Sequence, residues 1–411
     1  MSEDIKKIAK KEIHTTLLFC NFFIRRIGLS FVDEIPNTLS QKLNVLSAFI
    51  GGSSLVILIL TGEYAYIIFL LANSVSLEKL IGGNVHVAGY GTMSFGKLLT
   101  IWYKKNSFRQ VVNDLVDVWP VHETNPEAVA IKHKSLASLR SRQMLYIFWN
   151  VLGVLLYSLT PVALHLYRLA RGLPSELGFV WQIYYPFDKT NSIVHEFVYI
   201  FESFAGIASV CSMLGSDVFF ITMASHISMM LRILQVKIRS LGMEMATDGK
   251  AIGGLCNCYD EIIEVINIHQ KLIRYGNDLE DAFSVVNLIN VLISSVNICC
   301  VMFSIIFLEP LMEMSNKFFL GAALTQMGVV CWYADDIYRA SVEVSNAVFE
   351  SGWYNCNAQC RRSLLIMLQR SQRPLYFTAL KFNSITMRTY TSILTTSYSY
   401  FALLYTLYRE N

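Results

Sequence analysis

The sequence predicts an all-α, polytopic membrane protein of seven transmembrane helices, with a cytosolic N-terminus and an extracellular C-terminus. Three observations carry that expectation. The 411 residues are 54% hydrophobic and only 16% charged, where soluble domains average about 25% charged. Six stretches contain no Asp, Glu, Lys or Arg: Leu43 to Gly62, Leu80 to Gly96, Gln143 to Tyr167, Ala282 to Leu308, Phe318 to Ala334 and Thr389 to Tyr408. Most approach or exceed the ~18 apolar residues that mark a membrane-spanning helix. Finally, Lys and Arg collect in alternate connections.

Taken in order, the N-terminal segment 1–42 holds a short apolar run, Thr15 to Ile24, between Lys10, Lys11 and Arg25, Arg26. No small-residue cleavage site follows, so it reads as an amphipathic helix at the cytoplasmic membrane surface and not as a signal peptide. Seven spans are expected at 43–71, 79–103, 143–168, 193–224, 281–309, 317–343 and 386–408. The fourth encloses Glu202 and Asp217, which at membrane depth should face a protein interior or a watery cavity. The whole is one membrane domain, with spans one to five over 43–309 and spans six and seven over 310–411.

Orientation follows from the basic residues. Lys6, Lys7, Lys10 and Lys11 precede span one; Lys104, Lys105, Arg109, Lys132, Lys134, Arg140 and Arg142 follow span two. Arg232, Lys237, Arg239 and Lys250 follow span four, and Arg339, Arg361, Arg362, Arg370 and Arg373 follow span six. The other connections hold few. All nine cysteines fall in spans or predicted cytosolic segments, away from the compartment where disulfides form.

Candidate sites come with competing readings. The outer loop 169–192 carries Phe179, Trp181, Tyr184, Tyr185 and Phe187, which suit either an interfacial aromatic belt or a lid over an outward pocket. The glycine-rich start of span two, Gly82 to Gly91, suits close helix approach or a cavity wall. Span three offers Gly153 and Tyr157, and span four the row Phe197, Phe201, Phe204 and Ala208. Small residues beside aromatics in neighbouring outer half-spans could enclose a small apolar ligand. Asp335 and Asp336 read as a solvated helix end or a cation-attracting collar at a pore mouth.

On the last helix, Ser392, Thr396, Ser399, Leu403 and Leu407 fall on one stripe at helical spacing. Hydroxyls closing on leucines suit a pore that gates by dewetting; equally, the hydroxyls could bond back to their own carbonyls in a packed helix. Enzyme signatures are absent: there is no His-Glu-x-x-His, phosphate-binding glycine loop or serine elbow. Cys256-Asn257-Cys258 has the wrong spacing for a zinc knuckle. No cofactor is expected, and nothing points to nucleic acid.

The closing segment reads SLLIMLQRSQRPLYFTALKFNSITMRTYTSILTTSYSYFALLYTLY. Arg373 and Pro374 after a short amphipathic helix, Phe382, and the run Thr396 to Phe401 resemble the C-terminal signature of insect olfactory receptors. Ser345, Ala347 and the pair Trp353-Tyr354 resemble that family's segment after span six. The short connection between spans four and five, and the ending YFALLYTLYREN, resemble a ligand-tuning odorant receptor of a kind seen in moths, not the shared co-receptor.

That resemblance implies a non-selective cation channel gated by a small volatile ligand, assembled as a heterotetramer with the co-receptor in the plasma membrane of a sensory dendrite. It implies a pore lined by the last helix past Thr396 and Ser399, with an outer gate at Leu403 and Leu407. It implies an odorant pocket near His86, Val87, Tyr90, Gly153, Tyr157, Phe201, Phe204, Ala208, Phe319 and Ala322. Membrane lipids and permeating cations complete the expected partners. The alternative is a seven-helix receptor or transporter of a small apolar molecule without its own pore. The cytosolic N-terminus and missing Asp-Arg-Tyr motif count against a G-protein-coupled receptor, and the lack of internal repeats counts against a transporter.

Overall fold

Backbone amides in hydrocarbon must be satisfied within the chain, which leaves helices as the economical solution for apolar runs of this length. The computed structural model describes residues 3–29, 38–73, 75, 81, 85–189, 192–241, 259–307 and 310–410. Gly82 to Asn84, Lys250, Cys256, Cys258 and Asn411 lie outside the described residues. Two short helices, α1 (Glu3–Thr16) and α2 (Leu18–Arg26), precede α3 (Leu39–Ala72), α4 (Val85–Val116), α5 (Pro126–Ala170) and α6 (Ser192–Ser240). Then come α7 (Tyr259–Phe307), α8 (Pro310–Glu350), α9 (Ala358–Ser371) and α10 (Met387–Glu410).

The described part of each expected span falls on one long helix, α3 to α8 and α10. Local chemistry sets several starts. Thr38 accepts a hydrogen bond from the Gln41 amide ahead of α3, and Asn125 caps α5 with Pro126 in the first turn, as helix N-termini prefer. Four helices carry strongly apolar stretches: α3, α5, α6 and α7, at mean hydropathy 2.2, 1.8, 1.7 and 2.2. The more polar α4 and α8 contribute Lys97 and Gln326 to the interior, and α10 exposes hydroxyls along one face.

Most of these helices outrun a bilayer. At 1.5 Å per residue, the 49 residues of α6 extend about 74 Å, against a hydrocarbon thickness of about 30 Å. The excess turns of α4 to α8 form one apolar core with α1, α2 and α9 at the base of the bundle. Helix α6 is its axis: every residue from Ala208 to Leu231 is buried.

The N-terminal expectation needs correction. The apolar face of α1 and α2 is covered by protein and not by lipid: Ala9, Ile13, Leu17, Cys20 and Ile24 join the core, and Thr16 bonds His226 at 2.8 Å. Only Leu18 and Phe22 of the apolar run face outward. Asp335 and Asp336 are no collar either. Asp336 is paired with Arg232 and Asp335 with Arg339, because the helical spacing and the neighbouring α6 bring guanidinium groups onto both.

Two glycines of α4, Gly89 and Gly96, serve close helix approach. A Cβ at Gly89 would lie 2.0 Å from Asn297 Oδ1, and one at Gly96 2.8 Å from Ile289 Cδ1, both on α7. Between α9 and α10 the chain makes a two-residue hairpin, Thr378–Ala379 against Asn383–Ser384. The Glu280 carboxylate accepts from the Thr378 amide and hydroxyl, fastening this hairpin to α7.

At mid-bundle, Lys97 of α4 meets Asp217 of α6 at 2.7 Å, both side chains buried. The same carboxylate oxygen accepts from Tyr146 of α5 at 2.7 Å and Gln326 of α8 at 3.1 Å. Removing one partner of a buried pair leaves the other charge uncompensated and costs about 3–5 kcal/mol. Lys97→Met is therefore expected to lower the melting temperature of the purified chain sharply. Lys97→Met with Asp217→Asn should recover much of that loss, and purely additive losses would show that the pair does not hold the helices together.

Candidate functional site

Above the Lys97–Asp217 pair the helices diverge around a narrow, mostly apolar cavity, the lining expected of a small-molecule site. Ile59 and Glu63 of α3, Val87, Tyr90 and Gly91 of α4, and Asn150, Gly153, Val154 and Tyr157 of α5 form three walls. Gly206, Ser209 and Val210 of α6 and Phe319 and Ala322 of α8 form the rest. Trp181, from the loop between α5 and α6, covers it.

That cover is bolted down by a single carboxylate. Glu202 of α6 is fully buried and accepts from the Val180 amide at 2.8 Å, the Trp181 amide at 3.0 Å and the Tyr185 hydroxyl at 3.1 Å. Its backbone carbonyl takes the Trp181 indole N–H at 3.1 Å. The indole then stacks on Tyr157, ring centroids 5.0 Å apart. Gly206 allows this approach, since a Cβ there would lie 3.2 Å from the indole ring. In the same loop, Lys189 sits over the Phe179 ring at 4.3 Å and donates to the Ile183 carbonyl. Burial pulls its ammonium below the usual lysine range, and the Glu202 charge opposes that pull. Burial, then Glu202, raises the Tyr185 phenol above its ordinary value. Of the loop aromatics, Trp181 and Tyr185 thus belong to a lid, whereas Tyr184 and Phe187 face outward.

A second, roomier chamber lies beyond the Tyr157–Trp181 stack, sharing Glu63, Val87, Tyr157 and Trp181 with the first. Its walls are wetter: His86, Thr160, His165, Arg168, Glu176 and Asn316 line it. His86 Nε2 lies 3.1 Å from the Tyr157 hydroxyl, which itself donates to Asn316 Oδ1. The tautomer that completes this chain carries its proton on Nε2.

Six of the ten residues expected from the sequence line the apolar chamber: Val87, Tyr90, Gly153, Tyr157, Phe319 and Ala322. His86 borders the second chamber and meets the Phe319 ring edge-on at 5.1 Å. The α6 row does not converge on the cavity. Phe204 is 60% exposed on the outer surface, Phe201 packs beside Ile59, Ile183 and Ala205, and Ala208 is buried in helix contacts. The reason is helical phase: Glu202, Gly206 and Ser209 face inward, about a third of a turn away from the aromatic row. The small residues Gly206 and Ser209 carry no sequence signal beyond their size, and Ile59 and Glu63 lie on a helix that the sequence reading did not connect with the site.

On α10 the stripe Ser392, Ser399, Leu403 and Leu407 is exposed in the single chain, with Thr396 partly so. The opposite face, with Ile393 and Ser397, packs on the bundle, and Ser397 donates to the Ser295 carbonyl of α7 at 3.0 Å. Hydroxyl back-bonding also occurs: Ser399 donates to Thr395 O at 3.0 Å and Thr395 to Thr391 O at 3.0 Å. Such a hydroxyl keeps its acceptor lone pairs free.

Comparison with known proteins gives one family. The 7tm Odorant receptor family matches residues 80–398. Odorant receptor 85b of Drosophila melanogaster is 22% identical over 404 residues, covering 95% of this chain and 98% of that protein. Odorant receptor 67c of the same fly is 27% identical over 241 residues, covering 57% of this chain and 56% of that protein. The structure of the olfactory receptor OR5 from Machilis hrabei in complex with eugenol superposes with a TM-score of 0.82 at 15% identity, covering 98% of this chain and 99% of that one.

The Glu202 clamp makes a direct prediction. Hydrogen bonds to a charged group contribute about 1.5–3 kcal/mol, so Glu202→Ala should raise amide exchange across residues 178–186 by about ten- to a hundredfold. Unchanged protection would mean that the lid is held elsewhere.

Proposed function

Since this chain belongs to the 7tm odorant receptor family, we propose that it is the ligand-tuning subunit of an odorant-gated, non-selective cation channel. The observation that carries this reading is the lidded apolar cavity, walled by small and aromatic side chains and roofed by Trp181. Binding takes place there, in the outer half of the membrane, with the lid end outside, the base of the bundle in the cytosol and the C-terminus extracellular. Ligand contacts come from Val87, Tyr90, Gly153, Tyr157, Phe319 and Ala322, with His86 at the entrance from the second chamber. A ligand opens the channel only by the margin with which it prefers the open state. Mostly apolar walls give a discrimination of about 1–3 kcal/mol per methylene.

Helix α10 lines the pore. Its hydroxyls at Thr396 and Ser399, the latter back-bonded to Thr395 O, offer oxygen lone pairs to cations, and Leu403 and Leu407 close the outer end by dewetting. In the single chain Leu403 is 57% and Leu407 45% exposed, which suits a face completed by neighbouring subunits. Those subunits are co-receptor chains in a heterotetramer within the plasma membrane of a sensory dendrite. Segment 43–309 holds most of the pocket, and 310–411 completes its wall with Phe319 and Ala322 and supplies the cytosolic anchor and pore helix, with 1–42 packed beneath.

Voltage-clamp recording from cells expressing the chain with the co-receptor tests this: a volatile panel should evoke cation current that neither the panel nor the chain produces without the other. A ligand that binds the chain but passes no current would contradict it. Within that assay, Gly153→Leu, which fills a wall with open space in front of it, should reorder the ligand ranking; uniform scaling of every response would remove the pocket assignment. Leu403→Ala with Leu407→Ala should raise ligand-free leak current, and unchanged basal current would remove the gate.

A further inference from the structure

Buried polar groups are almost always hydrogen-bonded, so an unpaired one in a cavity wall asks for a partner. Four donors around the apolar chamber are already committed. Tyr90 donates to Asn150 Oδ1 at 3.1 Å, Asn150 Nδ2 to the Tyr146 carbonyl at 3.0 Å, Tyr157 to Asn316 and the Trp181 indole to Glu202. Glu63 stands apart. It is only 4% exposed, it lines both chambers, and its Oε2 has no hydrogen-bond partner among the described residues. The contrast with Glu202, which has three donors, is sharp. His86, also on the wall of the second chamber, is left with Nδ1 unpartnered, an acceptor when Nε2–H serves Tyr157. The boundary between the chambers therefore has hydrogen-bonding capacity to spare at Glu63 and His86.

We propose that Glu63 is the polar anchor of the cavity and selects volatiles carrying a hydroxyl group, alcohols or phenols, on an apolar body. The inference rests on the reading of this cavity as the ligand site. The hydroxyl donates to Glu63 Oε2 at the boundary, and the apolar body lies against Tyr90, Val154, Phe319 and Ala322. A hydroxyl fits better than an ammonium group, because bringing a full positive charge out of water into an apolar chamber costs far more than desolvating a neutral donor. Gly91 keeps the anchor accessible: a Cβ there would lie 3.4 Å from Glu63 Oε2 and 3.2 Å from Leu60.

Matched pairs test the anchor. Melting shifts of the purified full chain are measured with 1-octanol against octyl methyl ether, and with 2-phenylethanol and 4-allylphenol against their methyl ethers. A lost hydrogen bond corresponds to about two- to tenfold in apparent affinity, so wild-type protein should favour at least one alcohol over its ether by that ratio. Glu63→Leu should bring the ratio to about one by losing alcohol binding while keeping ether binding; Gly91→Ala, a milder change that crowds Oε2, should reduce it. Equal binding of alcohol and ether by the wild-type chain, no binding of any pair, or an undiminished ratio in Glu63→Leu would overturn the proposal. Currents recorded with the co-receptor separate the two readings. Alcohol binding without current leaves the anchor and refutes the channel; alcohol and ether currents of equal potency refute the anchor and leave the channel.

Discussion

The fold turns on one ion pair. Lys97 and Asp217 lie in the middle of the bundle, 2.7 Å apart and shielded from solvent. Neither charge is tolerable there alone. Each therefore requires the other helix, and the Asp217 carboxylate also recruits Tyr146 and Gln326, so that α4, α5, α6 and α8 share one oxygen. Apolar surface cannot impose such a register in a membrane, where lipid is as greasy as a neighbouring helix. Below this point the helices close into a continuous core, and above it they part to leave the cavity.

Two further carboxyl groups at the open end have contrasting surroundings. Glu202 is saturated by donors from the loop and so fixes a lid. Glu63 faces both chambers with an oxygen to spare. One group is structural because its hydrogen-bonding capacity is spent within the chain; the other is free to act on a guest. A roof bonded to α6, a helix that continues through the core to the base, also gives a ligand under Trp181 a stiff element to push against.

Much of the fold was legible in the sequence because hydropathy and charge report directly on what lipid will accept. The described part of every expected span lies on a long helix, and Asp217 and Glu202 do face the interior. The extra turns at the base were not visible, since α5 to α8 become charged on one face as they leave the apolar stretch. Gly153 and Tyr157 could be picked out as a small residue beside an aromatic, whereas Val87 and Tyr90 came only with the family resemblance. Phe204 could not be rejected, because an aromatic row is apolar whether it faces lipid or cavity, and only helical phase against the neighbours decides. Glu63 follows immediately after the first charge-free run, inside the expected span 43–71. Its place in the cavity wall depends on the tilt and packing of α3, which no local pattern encodes. The apolar N-terminal run signalled an amphipathic helix correctly but not what covers it.

The central claim is that activating volatiles occupy the lidded cavity between α3, α4, α5, α6 and α8. Gly153 stands on its wall with no atom within 4 Å of where a Cβ would be, while the described cysteines are buried. The most direct measurement is the rate at which a small, uncharged methanethiosulfonate reagent, applied from outside, modifies a Gly153→Cys channel with and without an activating volatile. Occupied cavities should slow modification in proportion to the fraction of channels activated. A rate unchanged by saturating agonist would contradict the account.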